Sequence, residues 1–261
     1  MAEFKIHKFP KTRIATIDVC AIGQQKHHIV AMVEIDVSTS REKIERHKKK
    51  NHKISFTAWL IKAISHTVKD YELVASYLKG KRKIIIFNDI NISIVVEKEL
   101  NGQKVPIPLI IEKANERTLE SITKQIRDAR DKELSEKDIV LQKKSRKLER
   151  IYYALPGFIR RFFWRYLLKN PVLAFNKMGN VAITSIGMIG NANGWFIPIS
   201  VHPICFGISR LTKKPVVVND KIEIREILNM TILLDHDVID GAAMARFISD
   251  LSANLEKGIA L

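Results

Sequence analysis

Residues 228–258, LNMTILLDHDVIDGAAMARFISDLSANLEKG, place a strand, a short junction and a helix in immediate succession. The stretch 228–234 is apolar and rich in branched side chains, which predicts a buried strand. Beyond the junction, Gly258 is a suitable helix terminator. Before it, apolar residues recur at helical spacing, at Met244, Phe247, Ile248, Leu251 and Leu255. His236 therefore lies where a strand passes into a helix.

An imidazole at this junction is suited to proton transfer, because its pKa lies near neutrality and it can accept the proton of a thiol. Asp240 follows four residues later, where a carboxylate can orient supporting groups. Gly241 comes next, and a glycine permits backbone conformations that a side chain resists. A histidine near an aspartate is also a common structural or surface feature, so the local pattern leaves both interpretations open.

The rest of the chain alternates strands and helices without an internal repeat. The pattern predicts a helix over 118–130 and a core helix after Ser55, while Ser38, Thr39 and Ser40 are candidate caps for a charged helix. The segment VPIPLIIEKAN is expected to be an edge or irregular strand, because Pro106 and Pro108 cannot donate ladder hydrogen bonds. Other apolar runs predict strands at 29–37, 84–87, 90–96, 181–186 and 204–209.

Composition bounds the class of protein. The chain has 261 residues and is 46% hydrophobic, enough for a substantial core. Its formal charge of +16 suits a polyanionic partner, such as a phosphorylated cofactor, an acidic protein or an anionic membrane. Nucleic acid is disfavoured, because no zinc-finger spacing, basic region leading into heptads or aromatic-rich binding motif is present.

Two cysteines, Cys20 and Cys205, lie far apart and outside any cluster with metal-ligand spacing. We expect no disulfide framework and no metal site, with both thiols buried as small apolar groups. The first residues lack the apolar run of a secretory signal, and no later stretch is long and apolar enough to span a bilayer. The sequence therefore predicts a cytoplasmic protein.

Residues from about 135 to 178 break the alternating pattern. The first half is highly charged, and the second, LPGFIRRFFWRYLLKNPVLAFNKM, combines aromatic residues with arginine and lysine. We interpret the second half as a helix packed on the domain or on a neighbouring subunit. Peripheral contact of residues 155–178 with a membrane surface is the alternative, because such a composition also suits the bilayer interface.

The motif His236-Asp237-Val238-Ile239-Asp240-Gly241 and the helix after it resemble the active-site motif, HxxxDG, and last helix of the acyltransferase component of 2-oxo acid dehydrogenase complexes. That family shares its fold with chloramphenicol acetyltransferase. The resemblance covers roughly residues 27–258, including the strand and helices of VEIDVSTSREKIERHKKKNHKISFTAWLIKAISHTVKDYELVASYL and the segment AITSIGMIGNANGWFIPIS. It implies an α/β (α+β) fold, a two-layer sandwich in which helices flank a mixed sheet, and a single catalytic domain over 1–261 with an insertion at about 135–178.

The resemblance also implies a chemistry. His236 is expected to remove a proton from coenzyme A or a dihydrolipoyl thiol, and the thiolate to attack an acyl thioester. Thr184, at the family's Ser/Thr position, is expected to donate a hydrogen bond to the oxyanion, with Ser185 the competing assignment and an ordinary strand hydroxyl the alternative. Asp240 matches a carboxylate that supports the active site in the family. In the family the histidine and hydroxyl come from neighbouring subunits, which implies a homotrimer or a larger cage.

The sequence departs from the family in three ways. No lipoyl or partner-binding domain is recognisable, so a separate lipoyl-bearing protein or soluble thioesters are expected to supply the acyl group. Asp237 replaces the basic residue that usually follows the histidine, and a carboxylate there would repel coenzyme A phosphates or raise the pKa of His236 if close enough. The insertion has no counterpart in compact members. The alternative function is a noncatalytic oligomeric scaffold that binds an acidic partner or a membrane.

Overall fold

A six-stranded mixed sheet forms the centre of the chain, in the order β1-β8-β7-β6-β4-β5. Neighbouring strands are antiparallel, except that β6 runs parallel to both β4 and β7. A separate two-stranded hairpin is made by β2 and β3. The strands are β1 His28–Asp36, β2 Tyr77–Lys79, β3 Lys83–Ile85, β4 Ile92–Leu100, β5 Gln103–Ile111, β6 Val181–Ser185, β7 Ile204–Val218 and β8 Lys221–Asp235.

The computed structural model describes residues 2–7, 9–10, 13–50, 53–100, 103–131, 151–186 and 193–261, of which 98–100 and 103–106 are described by their backbone. None of the helices in these ranges is long and apolar enough to cross a membrane. The labelled helices are α1 Arg13–Gly23, α2 Ser38–Lys49, α3 Phe56–Asp70, α4 Leu119–Asp131, α5 Gly157–Lys169, α6 Pro171–Met178 and α7 Gly241–Lys257, with a 3₁₀ turn at Glu72–Ala75.

Helices α3, α4 and α7 bury apolar faces in one core with the sheet. Ser55 caps α3 as predicted, since its hydroxyl accepts a hydrogen bond from the amide of Ala58 at 3.1 Å. Helix α7 ends at Gly258, whose left-handed φ of 68° confirms the predicted terminator. The mixed sheet with packed helices confirms the predicted fold class.

The last two long strands extend well beyond the runs predicted at 204–209 and 228–234. β7 and β8 form one hairpin whose turn is Asn219 and Asp220, both with positive φ, 50° and 62°. Two successive residues with positive φ are typical of a type I′ turn, which matches the twist of paired strands. The dipeptide Asn219–Asp220 between two runs of β-branched residues is the sequence signal for this hairpin.

Several local predictions were wrong. The cap of α2 is not a serine hydroxyl: the amide of Ser38 donates to the Asp36 carboxylate, and the Ser38 hydroxyl accepts from the amide of Glu226. The strand predicted at 84–87 is the short β3, because its partner β2 has only three residues.

The edge prediction for the proline-containing segment is confirmed, since β5 ends the sheet. Cys205 is buried as predicted, whereas Cys20 is partly exposed.

The insertion predicted at about 135–178 lies partly outside the described residues, which resume at 151. From there the chain forms a short helical stretch, α5 and α6, and α5 packs against α1. None of the residues of α5 is buried. Packing on the domain is therefore confirmed for one side of α5, and its other side faces away from the protein.

Candidate active site

His236 is the first residue after β8 and is exposed to solvent. Its amide donates to the carbonyl of His27 at 3.0 Å, which continues the pairing of β1 with β8 by one step. The chain then turns sharply, because the amides of Val238 and Ile239 both donate to the carbonyl of Asp235. Within the described residues the imidazole makes no hydrogen bond, so it is available to a ligand.

The buried carboxylate of Asp235 holds this turn from below. One of its oxygens accepts from Lys26, and the other accepts from the amide of Asp237 at 3.3 Å. Asp235 is only 2% exposed, and a buried carboxylate requires such partners. The loop before β1 and the turn after β8 are thereby held together around His236.

Asp237, the residue that departs from the family pattern, points at His27. The Asp237 carboxylate lies 2.8 Å from Nδ1 of that ring, and this hydrogen bond raises the pKa of His27. This contact places the His27 imidazole against the carboxylate that lies next to the candidate base.

Asp240 is the N-cap of α7, where its carboxylate accepts from the amide of Ala243 at 3.0 Å. This contact fixes the start of α7 directly behind His236. Gly241 has no positive φ, and a Cβ there would meet no atom within 4 Å. The expected special backbone conformation at Gly241 is therefore wrong: Asp240 supports the turn, and the glycine is the first residue of an ordinary helix.

Thr184 lies on β6, two strands away from β8. Side chains alternate along β6, so Val181 and Ile183 face the main core while Thr184 points to the opposite face of the sheet. Ser185 shares the side of Ile183 but is exposed at the strand end. The start of β6 is fixed by Gly179, whose φ is 74° and where a Cβ would lie 2.3 Å from the carbonyl oxygen of Asn91.

Thr184 and His236 of one chain do not meet. The register pairs Thr184 with Gly207 and Gly207 with Thr231, which is five residues before His236. At roughly 3.3 Å per residue and 4.8 Å per strand, the two positions are about 16 Å apart along the sheet and about 10 Å across it. An oxyanion donor and a general base must act on the same group, so these two candidate residues of one chain do not form a single site.

A second histidine, His202, lies in the bend just before β7 and is partly buried. Its Nε2 donates to the carbonyl of Met178 at 3.0 Å, and its Nδ1 accepts from the Ser200 hydroxyl at 3.2 Å. The carbonyl of His202 in turn accepts from Nε2 of His28. Burial lowers the pKa of His202 to about 4, so this ring is neutral and structural.

Among the residues that the structure describes, two of the surface cavities have volumes of about 440 and 430 Å³, and neither is lined by His236 or Thr184. The first is formed on β7 and β8 by a set that includes Arg210, Lys213 and Glu226. In the described ranges no three His, Cys, Asp or Glu side chains are grouped so that they could hold a metal ion.

Sequence reasoning missed the partners that Lys26 and His27 supply. Lys26 and Asp235 are 209 positions apart, and no motif links them. The available signal was indirect. Lys26 and His27 lie just before the strand predicted at 29–37, and that strand would have to pair with the strand leading to His236.

Comparison with known proteins points to one family. The sequence model described as "2-oxoacid dehydrogenases acyltransferase (catalytic domain)" matches residues 12–140 and 175–261. The unmatched stretch, 141–174, falls inside the predicted insertion. The match includes the His236 turn and β6.

A curated relative from Bacillus subtilis, the lipoamide acyltransferase component of a branched-chain alpha-keto acid dehydrogenase complex, is 26% identical over 88% of this chain and 46% of its own length. The chain thus spans about half of that relative. The cubic core of a pyruvate dehydrogenase multienzyme complex is 18% identical with a TM-score of 0.65, covering 97% of this chain and 92% of that one.

A solved dihydrolipoamide acetyltransferase of Azotobacter vinelandii has a TM-score of 0.67 at 18% identity, with 97% of this chain and 92% of that one covered. Its study concerns the role of a serine, a histidine and an asparagine in the catalytic mechanism. Both solved structures share the fold of this chain.

Proposed function

Because the chain belongs to the 2-oxoacid dehydrogenase acyltransferase family through its catalytic domain, we propose that it transfers an acyl group between coenzyme A and a dihydrolipoyl or related thiol. His236 is the general base. The observation that carries this proposal is the exposed, unbonded imidazole of His236 on a turn fixed by Asp235, Asp240 and Lys26.

The steps follow from these groups. The imidazole of His236 takes the proton of the attacking thiol, and the thiolate adds to the carbonyl carbon of the acyl thioester. The oxyanion that forms accepts a hydrogen bond from the hydroxyl of Thr184. Collapse of this intermediate expels the second sulfur, which recovers the proton from the imidazolium, so that the base is regenerated.

The register assigned to Thr184 has independent support. In the Azotobacter protein the serine precedes the histidine by 52 positions, and the asparagine follows the histidine by four. Thr184 precedes His236 by the same interval, and Asp240 follows it by four. Ser185 is one position out of step and projects from the other side of β6.

We propose further that the complete site forms between copies of the chain, in a trimer or a larger assembly. The separation of about 19 Å between Thr184 and His236, obtained from the strand register, requires a second copy to bring a hydroxyl to the imidazole. The outer part of the β7–β8 hairpin extends beyond its pairing with β1 and leaves apolar side chains exposed, at Val217, Ile222 and Ile224. An unsupported two-stranded hairpin is marginally stable in water, so contact with another copy is expected there.

The direct test incubates the purified chain with acyl-coenzyme A thioesters and dihydrolipoamide and detects acyl transfer by mass spectrometry. His236→Ala should lower the rate by about 100- to 10,000-fold. His66→Ala is the matched control, because His66 is also exposed but lies on α3 with only a 3.9 Å approach to Asp70. Equal rates for the two variants would contradict the assigned base, and absence of transfer by the parent chain would favour the noncatalytic scaffold.

A further inference from the structure

Helix α5 has its aromatic side outward. Phe158, Phe162 and Tyr166 follow one another at four-residue intervals and are 68%, 63% and 55% exposed, and Phe163 beside them is 53% exposed. Large aromatic side chains are normally among the most buried of a soluble protein. We call these four residues the α5 face.

The opposite side of α5 is fixed to the protein by polar contacts. Arg160 donates from Nε to the fully buried carboxylate of Asp18 on α1 at 2.6 Å, and Tyr152 donates to the same oxygen at 2.9 Å. The indole of Trp164 donates to the Tyr152 hydroxyl. A buried ion pair with supporting hydrogen bonds defines the rotation of α5, so the aromatic exposure is imposed by the fold.

The charged residues of the segment that carries the α5 face have one sign. Residues 151–178 contain five arginine and lysine residues and no aspartate or glutamate. Arg165 and Lys169 are exposed on the same helix, and Asp18, the one acidic residue of α1, is occupied by Arg160. The partner that completes this surface must therefore offer both an apolar layer and negative charge.

A second copy of the chain fits poorly. A two-fold contact between α5 faces would bring two segments without acidic residues together, and juxtaposed like charges such as those of Arg165 and Lys169 are unfavourable. An anionic bilayer satisfies both requirements, because aromatic rings insert at the level of the headgroups while arginine and lysine side chains reach the lipid phosphates.

We propose that the α5 face docks the protein on an anionic lipid membrane, with α5 lying in the plane of the interface. The stretch of chain involved falls largely within the residues that the family match omits, 141–174. Membrane docking is thus an addition to the catalytic domain, and it does not depend on the function proposed above.

Flotation of the whole 261-residue chain with vesicles provides the test. Binding is expected to vesicles of equimolar phosphatidylglycerol and phosphatidylcholine, and little to phosphatidylcholine alone. Since the whole chain is basic, the deciding variant leaves charge unchanged: Phe158→Ser with Phe162→Ser should reduce the partition coefficient at least roughly tenfold, by removal of two inserting rings. Leu73→Ser, which alters a 41% exposed apolar residue on the 3₁₀ turn, should bind as the parent does.

Charge is tested separately. Arg165→Glu should weaken binding more than Lys81→Glu, which changes an exposed lysine of the β2–β3 turn by the same amount. Unchanged binding of the double serine variant would show adsorption by net charge only and overturn the proposal. Failure of the parent to float, or a smaller oligomer for the double variant in sedimentation, would assign the α5 face to an acidic protein or to another copy and overturn it equally. Circular dichroism of each variant checks that the fold is kept.

Discussion

At the scale of single residues, the assignment of the oxyanion donor to Thr184 and its assignment to Ser185 lead to opposite predictions. Thr184→Val keeps the shape of the side chain and removes the donor, so kcat should fall by about 100- to 1,000-fold with little change in KM. Ser185→Ala is the matched control, because it removes the adjacent hydroxyl from the other side of β6. Steady-state kinetics of both variants decides the register, and a larger loss for Ser185→Ala would shift it by one residue.

His202 gives stability a pH dependence of known sign. Its pKa falls from 6.5 to about 4 in the folded chain. Below 6.5 the unfolded chain gains a proton that the folded chain does not bind, so stability present above 6.5 is lost progressively as pH falls toward 4. His28, whose pKa is also lowered by burial, acts in the same direction.

Urea unfolding should therefore show a loss attributable to His202 of roughly 2 kcal/mol between about pH 7 and pH 5. His202→Gln retains a donor for the Met178 carbonyl and cannot be protonated, so its pH dependence should be shallower by that amount. His66→Gln, at an exposed site, should keep the parent's dependence. An identical slope in the parent and His202→Gln would show that His202 titrates normally.

At the scale of elements, the β7–β8 hairpin depends on its turn. Asp220 has a φ of 62°, which costs little for glycine and much for a β-branched residue. Asp220→Gly should raise the free energy of unfolding by about 0.5 to 1 kcal/mol, and Asp220→Val should lower it by about 1 to 2 kcal/mol. Thermal or urea unfolding measures both, and Lys221→Val, one residue into β8, should change stability by less than about 0.5 kcal/mol.

At the same scale, helix α7 supports the turn that carries His236. Asp240 caps its first turn, and Met244, Phe247 and Leu251 anchor it in the core. The turn that presents His236 is thus held from the β8 side by Asp235 and from the α7 side by Asp240. A rigid support of this kind is what a general base requires, because proton transfer depends on hydrogen-bond reach.

At the scale of the whole molecule, catalysis should require pairs of chains. A His236→Ala chain and a Thr184→Val chain, each nearly inactive, should recover activity when co-expressed, because a mixed assembly contains interfaces in which both residues are intact. With random mixing in a cyclic trimer about a quarter of the interfaces are complete, so about a quarter of the parent activity is expected.

Sedimentation must first verify that the two chains co-assemble. Co-purification through different affinity tags on the two variants then isolates the mixed species, in which one interface of the three in a trimer is complete, so about a third of the parent activity is expected in that sample. Inactive mixed assemblies would mean that one chain supplies the whole site, and the inter-chain mechanism would be wrong.

The sequence alone determined the strand–turn–helix around His236, the core helices and the edge position of β5. These features depend on local periodicity, capping and the missing amide of proline, which are legible over a few residues. The hairpin at Asn219 and Asp220 was equally local, and its turn residues could have been recognised.

Only the tertiary structure decided which residues support the turn that carries His236, and that Thr184 and His236 of one chain do not meet. Lys26 reaches Asp235 across 209 positions, Thr184 is held away from His236 by the strand register, and α5 is rotated outward by the Arg160–Asp18 pair. Each of these depends on pairing or burial between segments remote in sequence. Local pattern carries no information on such contacts, because their free energy arises only when the chain brings the segments together.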